Sequence, residues 1–134
     1  IGWSPERIGV DLERADRPFQ AEKLKNRYFS SQEKAAMDNI PKKAIDLAVL
    51  KHWVIKESAI KWQRGSLAID LSEWIFHENS KTAIHQSLGY QVNIYNIHYK
   101  DWYVSVASTN MNHQNSPILC SFEHLKTSKN SLMN

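Results

Sequence analysis

A long amphipathic run, AIDLAVLKHWVIKESAIKWQ over residues 44–63, dominates the pattern of apolar and polar positions. It contains no glycine and no proline. At about 100° of rotation per residue, its large apolar side chains fall on one arc of a helix. The arc consists of Val49, Leu50, Trp53, Val54 and Ile60. The pattern predicts a long helix over about residues 43–63, with Gly65 as its stop.

A carboxylate interrupts this arc. Glu57 falls in its middle, and Lys61 falls towards its edge. Burying an unpaired charge is costly, so a carboxylate on an apolar stripe needs a partner. The sequence therefore predicts that Glu57 is paired, either with Lys61 or with a group from another element.

A period of two marks the N-terminal segment IGVDLE, residues 8–13. In a strand this alternation puts the aliphatic side chains on one face and both Asp11 and Glu13 on the other. We expect a preceding strand from Ile1, separated from this one by a turn at residues 4–6.

Two short helices are predicted between this strand and the long helix. The first starts at Pro18, covers residues 19–28 and carries a basic cluster of Lys23, Lys25 and Arg27. The second opens with Ser30 and Glu33, whose spacing is that of a capping box, and ends near Asn39.

The C-terminal half has the alternation of strands. The expected segments are an extended stretch over 67–71 and strands over 74–78, 82–86, 91–99 and 102–108. A shift in the alternation within 91–99 indicates a bulge, and Lys100-Asp101 forms a two-residue hairpin turn. One strand, three helices and an antiparallel β meander predict an α+β fold. We expect a domain over 1–109, then a polar linker and C-terminal arm over 110–134, with residues 118–125 as a last strand or arm and a disordered tail.

Length, charge and cysteine content limit the class of protein. A chain of 134 residues is one domain. A net charge of +3 and a pI near 9.0 suit an anionic ligand and do not by themselves indicate nucleic acid. Cys120 is the single cysteine, which excludes an internal disulfide. No apolar run approaches the ~18 residues of a membrane span and there is no signal peptide, so we expect a cytoplasmic protein without membrane or nucleic-acid partners.

Three acids are candidates for a metal site. Asp11 and Glu13 share a strand face, and Glu57 lies on the apolar stripe of the helix. Three carboxylates converging where strand and helix meet suit Mg²⁺, which keeps places for water and substrate phosphates. The alternative, which spacing alone favours, is that the strand acids are solvated and Glu57 pairs with Lys61 one turn on.

Two lysines and a further glutamate flank these acids. Lys56 and Lys61 could bind phosphate oxygens as point charges. The alternative is an exposed Lys56 and a Lys61 that extends to water. Glu33 could be a general base, although the capping box already explains it.

Three motifs in a fixed order reverse these preferences. GVDLE at residues 9–13, FSSQE at 29–33 and WVIKESAIK at 53–61 resemble the signature of the 4′-phosphopantetheinyl transferase superfamily. The resemblance covers about residues 1–108. It is closest to the C-terminal half of the two-half, surfactin-synthetase-activating type.

The resemblance implies a reaction and a set of residues. The family transfers the 4′-phosphopantetheine arm of coenzyme A, with Mg²⁺, to a serine of an apo acyl or peptidyl carrier protein, releasing adenosine 3′,5′-bisphosphate. Its metal acids fall on Asp11, Glu13 and Glu57. Its phosphate-binding lysine falls on Lys61, Lys56 lies beside the metal acid, and Glu33 falls where some members have a base.

Two departures from the family pattern qualify this. After Lys61 the two-half type has closely spaced glycines, whereas this chain has Arg64-Gly65-Ser66. The chain also resembles one half of a two-half enzyme that binds coenzyme A between its halves. We therefore expect a missing first half, or a homo-oligomer that rebuilds the cleft.

Two other functions compete with the transferase. One is an inactive half-domain with a binding or assembly role. The other is a Mg²⁺-dependent phosphodiesterase or nucleic-acid module, because an Asp-x-Glu pair with a third acid could serve two-metal hydrolysis. The modest net charge argues against the second.

Overall fold

A computed structural model describes residues 1–111 and 115–120. In this part of the chain one strand precedes four helices, and four further strands follow them. The elements are β1 (Gly9–Arg14), α1 (Ala21–Tyr28), α2 (Ser31–Met37), α3 (Lys42–Gln63), α4 (Leu67–Asp70), β2 (Trp74–His77), β3 (Thr82–His85), β4 (Gln91–Tyr99) and β5 (Trp102–Ser108). The predicted α+β class is confirmed.

The strands form one antiparallel sheet in the order β1-β5-β4-β3-β2. Strands β2 to β5 are the predicted meander, and β1 pairs with β5 at one edge. The β4–β5 register runs without interruption from Asn93↔Ser108 to Tyr99↔Trp102, so the predicted bulge is wrong. Lys100, with φ of 51°, begins the predicted two-residue turn between them.

Helix α3 is buried on two sides. Towards the sheet, Ile55, Ala59 and Trp62 belong to the main core. Towards α1 and α2, Ile45 and Val49 belong to a second cluster. The arc predicted from the sequence is indeed buried apart from the half-buried Trp53, but it is not centred on the sheet. A helix enclosed on two sides loses the single apolar stripe from which its orientation could be predicted.

The end of α3 differs from the prediction. Arg64, with φ of 62°, takes the left-handed position expected of a glycine cap. Gly65 is needed for a different reason, because a Cβ there would lie 2.4 Å from Asp70 Oδ2. Asp70 in turn accepts the Ser66 N–H at 2.7 Å and closes α4. The prediction of an extended stretch over 67–71 is therefore wrong.

Three other predictions concern the N-terminal strand, the capping box of α2 and the C-terminal arm. Residues 1–8 form no strand, since Ser4 Oγ accepts the Glu6 N–H and the chain bends there. The capping box of Ser30 and Glu33 is confirmed in both directions. Of the predicted arm, residues 118–120 form no strand and 121–125 lie outside the described residues. No helix in the described ranges is long and apolar enough to cross a membrane.

Candidate functional site

Backbone contact between β1 and α3 builds the site. Gly9 lies so close to α3 that a Cβ would be 1.9 Å from Ser58 O and 2.4 Å from Trp62 N. No residue with a side chain fits between these backbones. Because alternate residues share a strand face, Asp11 and Glu13 are directed to the same helix. The acids of β1 therefore face α3, while Leu12 on the other face is 46% exposed.

Asp11 lies at the centre of the site. It is 4% exposed, and its Oδ1 accepts a hydrogen bond from Lys61 Nζ at 2.5 Å. Its Oδ2 is buried, and no N–H or hydroxyl group in the described part of the chain donates to it. Glu57, half-buried one turn before Lys61, interacts with the same carboxylate. The structure thus brings together Asp11, Glu57 and Lys61, from one strand and one helix.

Burial and mutual repulsion disturb both carboxyl groups. Burial raises the pKa of Asp11, although the ammonium group of Lys61 opposes this. Burial, and then the charge of Asp11, raise the pKa of Glu57 to about 7, while Lys61 and a hydrogen bond from Trp53 favour its charged form. Two carboxylates in one partly desolvated site cannot easily both ionise without a compensating cation. The pair therefore retains a proton to a higher pH than isolated carboxyl groups would, although the charges of Lys61 and Arg17 favour its ionised form.

Glu13, the third predicted metal acid, is engaged differently. Its Oε1 pairs with the guanidinium of Arg17, four residues on. Within residues 1–111 and 115–120, no three side chains of histidine, cysteine, aspartate or glutamate are grouped as metal ligands. The three predicted acids thus share a neighbourhood, but they do not form a ready-made cage.

The chemistry of Asp11 and Glu57 fits a hard divalent cation. Mg²⁺ is usually held by one or two carboxylates and keeps several water ligands. The unpaired Oδ2 of Asp11 is a buried acceptor beside a second carboxyl group, which is where a cation would replace the shared proton. Asp11 and Glu57 suit this role as they stand, and Glu13 could join them by releasing Arg17.

Glu33 and Lys56 form a separate, sealed cluster. Lys56 Nζ lies 2.9 Å from Glu33 Oε2, with both side chains at most 2% exposed. The ammonium also donates to the carbonyl oxygens of Trp74 at 2.5 Å and Leu71 at 3.1 Å. Burial lowers the pKa of Lys56, and the charge of Glu33 offsets part of this.

The oxygens of Glu33 are likewise engaged. Oε2 accepts the Ser30 N–H at 2.9 Å and Oε1 accepts the Phe76 N–H at 3.3 Å. The predicted base and the predicted phosphate-contacting Lys56 are therefore found tying α2, α3 and β2 together, away from Asp11. Neither presents a free polar group to a ligand, because both are enclosed and hydrogen-bonded.

Sequence reasoning missed two residues of the site. The role of Gly9 could have been predicted, since a glycine inside a strand often marks a place where another backbone approaches closely. The pairing of Arg17 with Glu13 could not, because a residue beyond the end of a strand has no fixed periodicity that would direct its side chain.

A family model described as the 4′-phosphopantetheinyl transferase superfamily matches residues 7–116. That range contains β1, α3 and all the site residues described above. No curated protein sequence matches the chain significantly.

Proposed function

The chain belongs to the 4′-phosphopantetheinyl transferase superfamily, and from this premise we propose that it takes part in Mg²⁺-dependent transfer of 4′-phosphopantetheine from coenzyme A to a serine of an apo carrier protein. The observation that carries the proposal is the meeting of Asp11, Glu57 and Lys61, with one buried carboxylate oxygen unpaired. Two acids and one lysine are the groups that a cation and a pyrophosphate require.

Each residue has a role in this proposal. Asp11 and Glu57 hold the cation, with Glu13 as a further ligand once Arg17 releases it. Lys61, whose side chain is 51% exposed, reaches the phosphate oxygens of coenzyme A. A bound cation would supply positive charge to the pyrophosphate, which would favour attack of the serine oxygen on phosphorus. The bond to the leaving phosphate breaks, and adenosine 3′,5′-bisphosphate departs.

The serine proton needs an acceptor, and Glu57 fits this need better than Glu33. Glu57 is only half-buried, so part of its side chain is open to a substrate that approaches the site. Both oxygens of Glu33 are occupied in the core. We therefore assign Glu57 the catalytic role, and we give Glu33 and Lys56 a structural role in place of the catalytic and coenzyme-binding roles that the motifs imply.

We further infer that the chain corresponds to one half of a two-half enzyme. Asp11, Glu57 and Lys61 come from one strand and one helix, and the Lys61 side chain is 51% exposed to solvent. A first half, or a second copy of the chain, would supply the other wall and the contacts to adenine and the 3′-phosphate. Size-exclusion chromatography with and without coenzyme A tests for the second copy.

Mass spectrometry of the acceptor tests the activity. Apo carrier protein is incubated with coenzyme A, Mg²⁺ and this chain, with a complementary first half added in a parallel reaction. One phosphopantetheine per carrier is expected with the wild-type chain. Glu57→Gln should abolish the transfer, whereas Glu22→Gln, which removes an exposed acid on α1, should not. Absence of transfer in both reactions would contradict the proposal.

A further inference from the structure

Each acid of β1 has a basic side chain paired with its carboxylate. Lys61 Nζ donates a hydrogen bond to Asp11 Oδ1 at 2.5 Å, and the guanidinium of Arg17 forms an ion pair with Glu13. Both basic side chains are about half exposed, at 51% and 49%, while the side chains of the acids are 6% and 23% exposed. The acids are thus fixed in the protein, and their partners reach them from the solvent side.

Lys61 is held loosely for a lysine that neutralises a buried acid. In the described part of the chain, its ammonium makes one hydrogen bond, to Asp11. An ammonium at the surface returns to water at little cost, since it is strongly hydrated and its stem is flexible. By contrast, the ammonium of Lys56 is surrounded by a carboxylate and carbonyl oxygens in the core.

A lysine and a divalent cation cannot both be close partners of one carboxylate without repelling each other. We propose that Lys61 is a built-in competitor of the divalent cation, occupying Asp11 until an anionic phosphate draws the ammonium away. This rests on the proposed cation site at Asp11 and Glu57. It adds that the cation binds weakly to the free chain and more tightly once coenzyme A is present.

The coupling is reciprocal. If coenzyme A raises the affinity for the cation by some factor, the cation raises the affinity for coenzyme A by the same factor. Removing the ammonium should produce the tight state permanently. Lys61→Met should therefore bind the cation about tenfold more tightly than the wild type, within the range usual for such couplings. The same substitution should abolish the effect of coenzyme A on cation affinity.

Mn²⁺ provides the probe, because electron paramagnetic resonance reports the free ion in a titration. The wild-type chain, Lys61→Met and Lys51→Met are titrated with and without coenzyme A, with corrections for Mn²⁺ bound by coenzyme A itself. Lys51 is the matched control, since it is a lysine of the same helix whose ammonium lies 4.9 Å from the centre of the Tyr103 ring and forms no ion pair in the described part of the chain. Circular dichroism confirms that each variant is folded.

The two hypotheses fail differently. Tighter Mn²⁺ binding by Lys61→Met, but not by Lys51→Met, supports the competitor role. Equal or weaker binding by Lys61→Met, with measurable binding by the wild type, overturns that role and leaves the cation site intact. Absence of Mn²⁺ binding by every form, with and without coenzyme A, overturns both.

Discussion

Helix α3 carries two lysine–carboxylate pairs that use the same chemical groups in opposite ways. The pair of Lys56 and Glu33 is closed, because both side chains are at most 2% exposed and their polar atoms are hydrogen-bonded. The pair of Lys61 and Asp11 is open, because the lysine is 51% exposed and Asp11 retains an unpaired oxygen. The closed pair connects elements of the fold, whereas the open pair is free to exchange partners.

The difference teaches which observation separates a structural charge from a functional one. Perturbed pKa values occur in both pairs, since burial lowers the pKa of Lys56 and raises that of Asp11. A perturbed pKa is therefore insufficient evidence of a site here. What distinguishes the open pair is an unsatisfied acceptor next to a partner that solvent can replace.

The largest expected effect comes from opening the closed pair. Lys56→Met leaves the Glu33 carboxylate buried without its cation, which should lower the free energy of unfolding by about 3–5 kcal/mol. Lys61→Met, the matched substitution in the open pair, should cost about 1 kcal/mol or less, because half-exposed pairs contribute little. Urea denaturation followed by circular dichroism measures both.

Similar losses in the two variants would remove the distinction between the pairs. A double variant, Glu33→Leu with Lys56→Met, sharpens it. Removing both charges should recover part of the stability but not all of it, since the N–H groups of Ser30 and Phe76 lose their acceptor.

The sequence pointed to the residues of the open site but not to their pairing, since spacing alone paired Lys61 with Glu57 whereas the structure pairs Lys61 with Asp11. Two periodicities, together with the order of the motifs, directed attention to Asp11 and Glu57. Periodicity does not reveal that Lys56 is buried. Its partners include the carbonyl oxygens of Leu71 and Trp74, and a pattern of side chains cannot show which backbone atoms accept a hydrogen bond. The motif residues Glu33 and Lys56 were therefore predicted to be functional when the structure places them in the core.

The fold was predictable where elements are long or end in characteristic turns. The long helix, the capping box and the Lys100-Asp101 hairpin follow from the sequence. The short helix α4 was predicted as an extended segment because its apolar residues alternate over five positions. So short an alternation does not show that the apolar side chains share a buried face. Its Leu67 and Ile69 are 45% and 70% exposed, so their pattern does not record a buried face.

Separating β1 from α3 should disrupt the open pair selectively. Gly9→Ala introduces a Cβ 1.9 Å from Ser58 O, and relief of this clash must move the strand or the helix. We expect a loss of about 1–3 kcal/mol in the free energy of unfolding. Mn²⁺ affinity should fall as well, because Asp11 would be displaced from Glu57.

A control for this substitution exists in the same chain. A Cβ at Gly89 meets nothing within 4 Å, and φ of 69° makes the substitution unfavourable for backbone reasons alone. Gly89→Ala should therefore lower stability without changing Mn²⁺ affinity. If the two alanine variants lose Mn²⁺ binding equally, close packing at Gly9 does not position the acids.

The smallest expected effect is a difference in pH dependence that comes from Glu57, the acid next to the open pair. The pKa of Glu57 is raised from 4.5 to about 7 in the folded chain, so the folded state binds more protons than the unfolded state between these values. Stability contributed by the protonated form is thus fully present below about pH 4.5 and is lost as the pH rises towards 7. Glu57→Gln should remove this loss, which we expect to be on the order of 1 kcal/mol after solvent screening.

The difference between wild type and Glu57→Gln, measured by urea denaturation from pH 4.5 to 7.5 in a chelator, isolates this contribution. The lowered pKa of His52, caused by its burial, makes stability rise with pH below about 6.5, but it does so in both proteins and cancels. Saturating Mg²⁺ should flatten the difference, because a bound cation would stabilise the ionised Glu57. Parallel pH profiles for the two proteins in chelator would show that folding does not raise the pKa of Glu57, and Lys61 and Arg17 would then be sufficient to compensate the two carboxylates.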